Sequence, residues 1–513
     1  MRHPLLIAAL MPLCVPFAPT SSAQVAAPER VVDDAAVLAG LESIDVKSIS
    51  ADLHFFASDG MRGRDTPSRE QRLAAAFIGA RLAGLGFQPG NGDSYTAPYE
   101  LGWRAIDPDK TQASALGADG VSGFTYGVDY VHPTSSESME QVVSGPVRFG
   151  GKGTKDELSG AGLEGSWLVV LDDGEWPVND RRGLSSARYW TSRRTAAESA
   201  GAAGMLVVPG AGYEGEPIAK AFQRVTDQRL QGSVWLPGGR VPNFGSGDLP
   251  VLVLSAEAGQ RLAEMGGVDL SAATVGQDFG IEFTEERVRQ GSEPYRVEVE
   301  NVIGLWPGSD PKLANEVIAI SAHYDHVGAR GDDVYNGADD NGSGSMGMLA
   351  VAEALEAHGP LTRTVAVIWV SGEEKGLLGS KAWCANPTLP EGMNVVANIN
   401  MDMIGRNEPH QILYTPTPEK PEIYNGLAKL VEAHAPSEGF TELGSADAYY
   451  FRSDQQSFQE AFDIPVMFLF SDVHEDYHQP SDTPDKINVD KISRVSRLIF
   501  RVLCDLQEPE LNL

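Results

Sequence analysis

The C-terminal half of the chain alternates between short apolar runs and longer amphipathic stretches. One stretch, residues 342–358, has helical periodicity and ends before Gly359-Pro360, a common helix stop. The apolar runs are nearly continuous, as expected for strands that are covered on both faces. They lie at 317–321, 364–370, 395–400 and 464–470. This alternation predicts an α/β fold with a mixed, mostly parallel sheet flanked by helices.

The N-terminal half contains one clear helix and then changes character. Residues 68–85 predict an amphipathic helix, with Thr66 as its cap and Pro67 at its first position. Residues 115–288 are Gly-rich, with short strand-like runs and no cluster of metal ligands or nucleophiles. Its predicted elements are strands at 167–172 and 249–255, a helix and strand over 196–208, and a helix at 256–265. We interpret this segment as an inserted, β-rich, non-catalytic domain that divides the main domain into residues 37–114 and 289–513.

Residues 1–23 resemble a secretory signal peptide. Arg2 and His3 precede an apolar stretch over 5–17, and Ser21-Ser22-Ala23 ends in a small-x-small cleavage pattern. The apolar stretch is too short to span a bilayer. We therefore expect a protein exported to the periplasm or the extracellular space, with residues 24–36 as a tether and no membrane anchor.

The charge of the chain limits which classes of partner it can bind. Over 513 residues the formal net charge is −31. Such an acidic chain is repelled by nucleic acids and by anionic membrane surfaces, so neither is an expected partner. Cys384 and Cys504 remain after removal of the predicted signal peptide, and the sequence leaves open whether they form a disulfide or stay as thiols.

Most of the imidazoles and carboxylates with metal-ligand chemistry follow the predicted strands. His323 and Asp325 are two residues apart, so in an extended backbone they face the same side, and Asp325 can orient the ring of a metal-bound His323. By the same alternation His326 faces away, and we leave it out. The remaining candidates are Asp339, Asp340, Glu373, Glu374, Asp402 and His478.

Adjacent carboxylates repel each other unless cations or protons relieve the repulsion. Two Zn²⁺ ions offset three carboxylate ligands and a bridging hydroxide, whereas a single zinc leaves excess negative charge. We therefore predict two zinc ions, with Glu374 as a ligand, Glu373 as the general base and Tyr477 as a hydrogen-bond donor to an oxyanion. Spacing alone leaves open whether Asp339 or Asp340 bridges the two metals.

The ordered motifs resemble the zinc-dependent aminopeptidase family of two-zinc exopeptidases. They read HYDHVG, GADDNGSG, SGEEKGLLGS, NMDMIG and DYHQPSDT. The resemblance implies Asp340 as the bridging ligand and a cis peptide bond at Asp340-Asn341. It implies that one zinc is held by His323, Asp340 and Asp402, and the other by Asp340, Glu374 and His478. It also implies Glu373 as the base and Asp325 as the His-orienting acid.

Two other segments relate to this family. WLVVLDDG, AGAAGMLVV and LPVLVLS make the insert resemble a protease-associated domain, which covers or gates peptidase sites. The segment FRSDQQSF departs from the family, which commonly has His or Tyr after RSD where this chain has Gln455. That departure leaves the role of Arg452 and Asp454 open.

The sequence supports a secreted aminopeptidase acting on short peptides, and several alternatives stay open. They are a glutamate-carboxypeptidase-like exopeptidase, a glutaminyl-cyclase-like transferase and a non-catalytic receptor on the same scaffold. A dinucleotide fingerprint, G-x-G-x-x-G at Gly342, follows a polar loop instead of a strand and therefore lacks the required context. A carboxypeptidase needs an arginine cluster for the substrate carboxylate, and none lies near the motifs.

Overall fold

A computed structural model describes residues 35–133, 140–172, 187–209, 218–239, 249–290 and 296–507. The predicted signal peptide and nearly all of the predicted tether lie outside the described residues. The helices are α1 Ala35–Ser43, α2 Val46–Phe56, α3 Arg69–Gly84, α4 Lys155–Leu158, α5 Ala187–Ser199, α6 Ile218–Gln231, α7 Ala256–Met265, α8 Gly344–His358, α9 Leu378–Ala385, α10 Gly426–His434, α11 Gln455–Phe462 and α12 Val489–Asp505.

The strands belong to a large sheet, a second sheet in the insert and a short hairpin. They are β1 Gln88–Pro89, β2 Thr96–Ile106, β3 Gln112–Gly117, β4 Gly120–Thr125, β5 Tyr130–Val131, β6 Glu140–Phe149, β7 Trp167–Asp172, β8 Gly204–Pro209, β9 Ser233–Trp235, β10 Val251–Leu254, β11 Asp278–Gln290, β12 Arg296–Trp306, β13 Glu316–His323, β14 Ala329–Arg330, β15 Asp333–Val334, β16 Thr364–Val370, β17 Asn394–Met401, β18 Gln411–Thr415, β19 Glu442–Ser445 and β20 Val466–Phe470.

The large sheet has four parallel strands at its centre. Their order is β16-β13-β17-β20. On one side β12 pairs antiparallel with β16 and continues to β2 and β1. On the other side β18 pairs antiparallel with β20 and parallel with β19. The fold is therefore α/β with a mixed, mostly parallel sheet, as predicted from the sequence.

Both faces of the central strands are buried under helices. Along β13, Ile318, Ile320 and Ala322 pack into a core formed with α1, α2, α3, α8, α10 and α12. The alternate residues Val317 and Ala319 pack into a second core formed with α9 and α11. Because successive side chains of a strand face opposite sides, a strand between two helical layers must be apolar throughout.

The segment that the sequence predicts to be an insert forms a second sheet. A parallel group, β6-β7-β8-β10, is extended by β5 next to β10 and by β11, β3 and β4 next to β6. The strand β7 and the helix α7 have the predicted bounds. The long strands β2 and β11 pair with each other where the insert leaves the main sheet. The domain bounds of 115–288 stay a prediction.

Two local expectations needed correction. The cap of α3 is Ser68, whose side chain accepts a hydrogen bond from the Gln71 amide, instead of Thr66. Pro67 follows a cis bond and precedes the cap. The helix predicted over 342–358 begins at Gly344, because the preceding turn over 338–343 has non-helical backbone angles at Asp340 and Asn341.

The two cysteines stay as thiols in this structure. Cys384 packs into the core on the α9 side of the sheet, and Cys504 packs against the core on the α12 side. Within the parts of residues 35–507 that the structure describes, no helix combines the length and apolar composition that a bilayer crossing requires.

The helix α8 follows the turn that carries Asp340, and most of its side chains are buried in the main core. Shortening one of these side chains should therefore destabilise the protein. Leu349 is 1% exposed in the main core. Leu349→Ala should lower the free energy of unfolding by about 2–5 kcal/mol, measured by urea denaturation. Leu73→Ala, at a position that is 44% exposed on α3, is the matched control and should change it by less than about 0.5 kcal/mol. Equal losses in both variants would contradict the assignment of α8 to the core.

Candidate metal centre

The strand ends bring the candidate ligands to one edge of the sheet. His323 is the last residue of β13, and Asp402 directly follows β17. Glu374 lies four residues after β16, and His478 lies in the loop after β20. Because these four strands are parallel, their carboxyl ends meet at the same edge, where sites form in such sheets.

The first ligand cluster contains His323, Asp340 and Asp402. His323 Nε2 lies 3.2 Å from Asp402 Oδ1 and 3.4 Å from Asp340 Oδ1. The side chains of His323 and Asp340 are almost fully buried, and that of Asp402 is mostly buried. Two carboxylates and an imidazole in this arrangement form a ligand set suited to zinc.

The second cluster uses the other oxygen of Asp340. His478 Nε2 lies 3.0 Å from Asp340 Oδ2 and 3.1 Å from Glu374 Oε2. Asp340 thus presents Oδ1 to the first cluster and Oδ2 to the second. The turn that carries it contains a cis bond at Asp340-Asn341, which agrees with the expectation from the family resemblance.

His326 also belongs to the second cluster, contrary to the sequence prediction. Its Nδ1 lies 2.9 Å from Glu374 Oε1 and 3.7 Å from Asp340 Oδ2. The prediction failed because β13 ends at His323, so the alternation of an extended strand does not continue to His326. The second imidazole in HYDH is the signal that sequence reasoning had set aside.

The orientation of these groups fits a shared cation better than mutual hydrogen bonds. Both ring nitrogens of His326, His478 Nε2 and Glu374 Oε1 are buried without a hydrogen bond of acceptable geometry. The separations of 2.9–3.7 Å in this cluster bracket the roughly 3.3 Å between neighbouring ligands of a tetrahedral zinc with bonds of about 2.0–2.1 Å. Buried polar atoms that face each other without bonding need a partner such as a metal ion.

Asp325 lies near His323 through both its backbone carbonyl and its carboxylate, and its role as the acid that orients this ring stays a prediction. His323 Nδ1 lies 3.1 Å from the backbone carbonyl of Asp325, while the Asp325 carboxylate is 3.8 Å away. A carbonyl at Nδ1 leaves Nε2 free to bind a metal. The Asp325 carboxylate also accepts a hydrogen bond of 3.2 Å from the Glu373 amide, so it fixes the loop that carries the predicted base.

The electrostatics of Glu373 suit a proton acceptor. Burial raises the pKa of Glu373 well above its usual range, His323 opposes the rise, and Asp454 adds to it. A carboxylate with a raised pKa takes up a proton more readily at neutral pH. Asp340 shifts in the other direction, because the neighbouring histidines outweigh burial and hold its pKa well below the usual range.

Tyr477 lies beside the second cluster. Its ring stacks on His478 with 3.9 Å between the ring centroids and an interplanar angle of 30°. Burial raises the pKa of Tyr477, and the carboxylates Asp340 and Glu374 add to the shift. The phenol therefore stays protonated and able to donate a hydrogen bond.

Asp339 and Asp482 hold the turn that carries Asp340. Asp339 is fully buried, and its Oδ1 accepts a hydrogen bond of 2.7 Å from the Gly405 amide. The Asp482 carboxylate accepts from the amides of Asp339 and Asp340 at 3.1 and 3.2 Å. These contacts fix the backbone while both oxygens of Asp340 remain directed at the clusters.

The segment FRSDQQSF, residues 451–458, supports the side chain of Asp402. Ser453 Oγ donates a 2.9 Å hydrogen bond to Asp402 Oδ2, which leaves Oδ1 directed at His323. Asn400 donates to Ser453 Oγ and to Gln455 Oε1, each at 2.9 Å. Gln455 therefore contributes to a buried network under this ligand.

Comparisons with known proteins find similar sequences among peptidases. Residues 301–503 match the profile of Peptidase family M28. Over 176 residues the chain is 34% identical to leupeptin-inactivating enzyme 1 of Streptomyces exfoliatus, covering 33% of this chain and 35% of that protein. Over 217 residues it is 28% identical to aminopeptidase YwaD of Bacillus subtilis, covering 41% and 45%. The chain therefore matches less than half the length of these relatives.

A solved structure resembles the chain over nearly its whole length. A zinc aminopeptidase from Bacillus subtilis superposes with a TM-score of 0.52, covering 91% of this chain and 96% of that one at 17% identity. At this identity the likeness establishes the fold alone.

The position of His326 predicts a role in metal binding. Loss of an imidazole that binds a metal or orients its ligand typically weakens affinity by about 10–100-fold. His326→Ala should weaken zinc binding at the second cluster by this factor and leave zinc affinity at the His323 cluster unchanged. Titration of the protein against a chromophoric chelator would measure both affinities. His54→Ala, an exposed histidine on α2, is the control. A titration identical to that of the unaltered protein would exclude His326 from the site.

Proposed function

We propose that this protein is a zinc metallo-aminopeptidase that removes the N-terminal residue of peptides, because residues 301–503 match the profile of Peptidase family M28. The observation that carries the proposal is the placement of Asp340, with Oδ1 toward His323 and Oδ2 toward His478. A carboxylate shared in this way is the expected bridge between two divalent ions.

The two ligand sets would each hold one Zn²⁺. One set is His323, Asp340 and Asp402; the other is Asp340, Glu374 and His478, with His326 beside them. When bound, paired zinc ions supply an activated water and a Lewis acid for the peptide carbonyl. Three carboxylates at the two sites offset most of the charge of two zinc ions, which favours a pair over a single ion.

Glu373 is assigned as the general base. In this role its carboxylate takes the proton from the attacking water and delivers it to the departing amine, so one group serves both proton transfers. Its raised pKa, caused by burial, suits a group that must both accept and release a proton. The hydrogen bond from its amide to Asp325 keeps the loop in place.

Tyr477 is assigned as a donor to the oxyanion that forms at the peptide carbonyl. Its protonated phenol lies against His478, next to the second ligand set. A donor fixed before the reaction stabilises the developing charge without reorganisation.

The acidity of the site favours recognition of an amine over a carboxylate. Asp454 is a fully buried carboxylate that interacts electrostatically with Glu373 and Asp402. An ammonium group is stabilised by such acids, whereas a substrate carboxylate needs arginine partners. Two similar proteins are named as aminopeptidases, which also favours cleavage from the amino end of a peptide.

We extend the proposal to the insert and to the location of the protein. The insert acts as a protease-associated domain that controls access, because its helix α6 reaches the site: Gln231 donates a hydrogen bond to Asp65. Asp65 in turn pairs with Lys375 at 2.8 Å, next to Glu374. Residues 1–23 direct export to the periplasm or the extracellular space.

Mass spectrometry of a mixed peptide set after incubation with the zinc-loaded protein tests the proposed activity. Products shortened stepwise from the free amino end are expected. Products shortened from the carboxyl end would replace the proposal with a carboxypeptidase, and intact peptides in the presence of bound zinc would refute a peptidase function.

The assignment of the base gives a separate prediction. Glu373→Gln keeps the size of the side chain but removes the proton acceptor, so kcat should fall by about 10²–10⁴-fold with zinc content unchanged. Peptide turnover and metal analysis are the measurements. Glu391→Gln, at an exposed position, is the control. Turnover by Glu373→Gln close to that of the control would remove Glu373 from the mechanism.

A further inference from the structure

The turn that precedes α3 has an unusual backbone. Three consecutive residues, Arg62, Gly63 and Arg64, have φ values of 42°, 66° and 48°. Non-glycine residues rarely adopt this left-handed region, and such conformations persist only where surrounding structure enforces them. A Cβ on Gly63 would lie 2.2 Å from the carbonyl oxygen of Tyr335 and 2.6 Å from that of Gly328. The turn is therefore pressed against the loop that leads to Asp340.

This turn directs the side chain of Arg64 into the interior. Arg64 is fully buried, and its guanidinium lies 4.4 Å from the centroid of the Phe56 ring. It donates to four backbone carbonyls, those of Phe56 at 2.8 Å, Asn336 at 2.8 Å, Gly337 at 2.9 Å and Tyr324 at 2.9 Å. Among the residues that the structure describes, no carboxylate forms an ion pair with Arg64.

Three of the four carbonyls that Arg64 contacts belong to two loops of the site, and the fourth, that of Phe56, ends helix α2. Tyr324 lies between His323 and Asp325, and Asn336 with Gly337 lead into the turn of Asp340. One planar group therefore fixes the distance between the loop of His323 and the loop of the bridging carboxylate. The surrounding acids also stabilise its charge: burial lowers the pKa of Arg64 to about 10, and Asp325 opposes that change.

We infer that Arg64 is a positioning residue that holds the two ligand loops in register, so that the metal site is formed before metal binds. The inference rests on the proposed zinc function. This positioning role explains why the buried cation at residue 64 is an arginine and not a lysine. A guanidinium has five donors in one plane, whereas an ammonium has three donors around a single point and lacks the fork that reaches carbonyls from separate segments.

Arg64→Lys separates geometry from charge, because it keeps the positive charge and removes the planar fork. Arg62→Lys is the matched control, with the same substitution in the same turn at an exposed position. Zinc affinity and stoichiometry of the full chain would be measured by chelator competition. The coordination geometry would be followed by the visible absorption spectrum of the Co²⁺-substituted protein. We expect Arg64→Lys to weaken zinc binding at least about 10-fold and alter the Co²⁺ spectrum, and Arg62→Lys to change neither.

If Arg64 contributed only to the overall stability of the protein, Arg64→Lys would behave differently. Thermal unfolding midpoints would then fall equally in the zinc-free and zinc-loaded variant, with zinc affinity and the Co²⁺ spectrum as in the unaltered protein. That result would overturn the inference. Absence of zinc binding in the unaltered protein would instead refute the proposed function, and the inference with it.

A measurement on the unaltered protein covers the case in which Arg64→Lys does not fold. Hydrogen–deuterium exchange would compare residues 324–328 and 336–340 without and with zinc. Protection that is already present without zinc is expected if Arg64 holds these loops. Rapid exchange that slows only on addition of zinc would show that the metal organises the loops, and would reject the role of Arg64.

Discussion

The convergence of buried carboxylates at one edge of the sheet is the constraint on which the rest of this structure depends. Asp325, Asp340, Glu374 and Asp402 all lie in the interior close to one another. Like charges at such distances in a medium of low dielectric are unstable unless protons or cations compensate them. The three histidines and Arg64 supply part of this compensation, and the geometry of the ligand atoms favours metal ions for the remainder.

In this fold the strands position the ligand residues, and the loops after the strands orient their side chains. The parallel strands supply rigid starting points, since His323 ends β13 and Asp402 directly follows β17. The loops after the strands then fix orientation through their backbones, as when the Asp325 carbonyl sets the ring of His323 and the Asp482 carboxylate holds the turn of Asp340. Because the Asp482 contact is to the backbone of the turn, both oxygens of Asp340 remain free to face the clusters.

Local patterns predicted much of the fold and most of the site. The strand β16 has the predicted bounds, because a strand covered on both faces is apolar throughout. His323, Asp340, Glu374, Asp402 and His478 come together as the strand-end argument and the family resemblance indicated. The pattern failed for His326, because periodicity does not show where a strand stops. It also missed the four carbonyl contacts of Arg64, since backbone acceptors from distant segments leave no sequence signature.

The central claim is that one carboxylate bridges two zinc ions, and X-ray diffraction at the zinc absorption edge tests it most directly. The account predicts two anomalous peaks separated by roughly 3.5–4 Å. One peak should lie among His323, Asp340 and Asp402 and the other among Asp340, Glu374 and His478. A single peak, or two peaks that share no contact with Asp340, would contradict the claim.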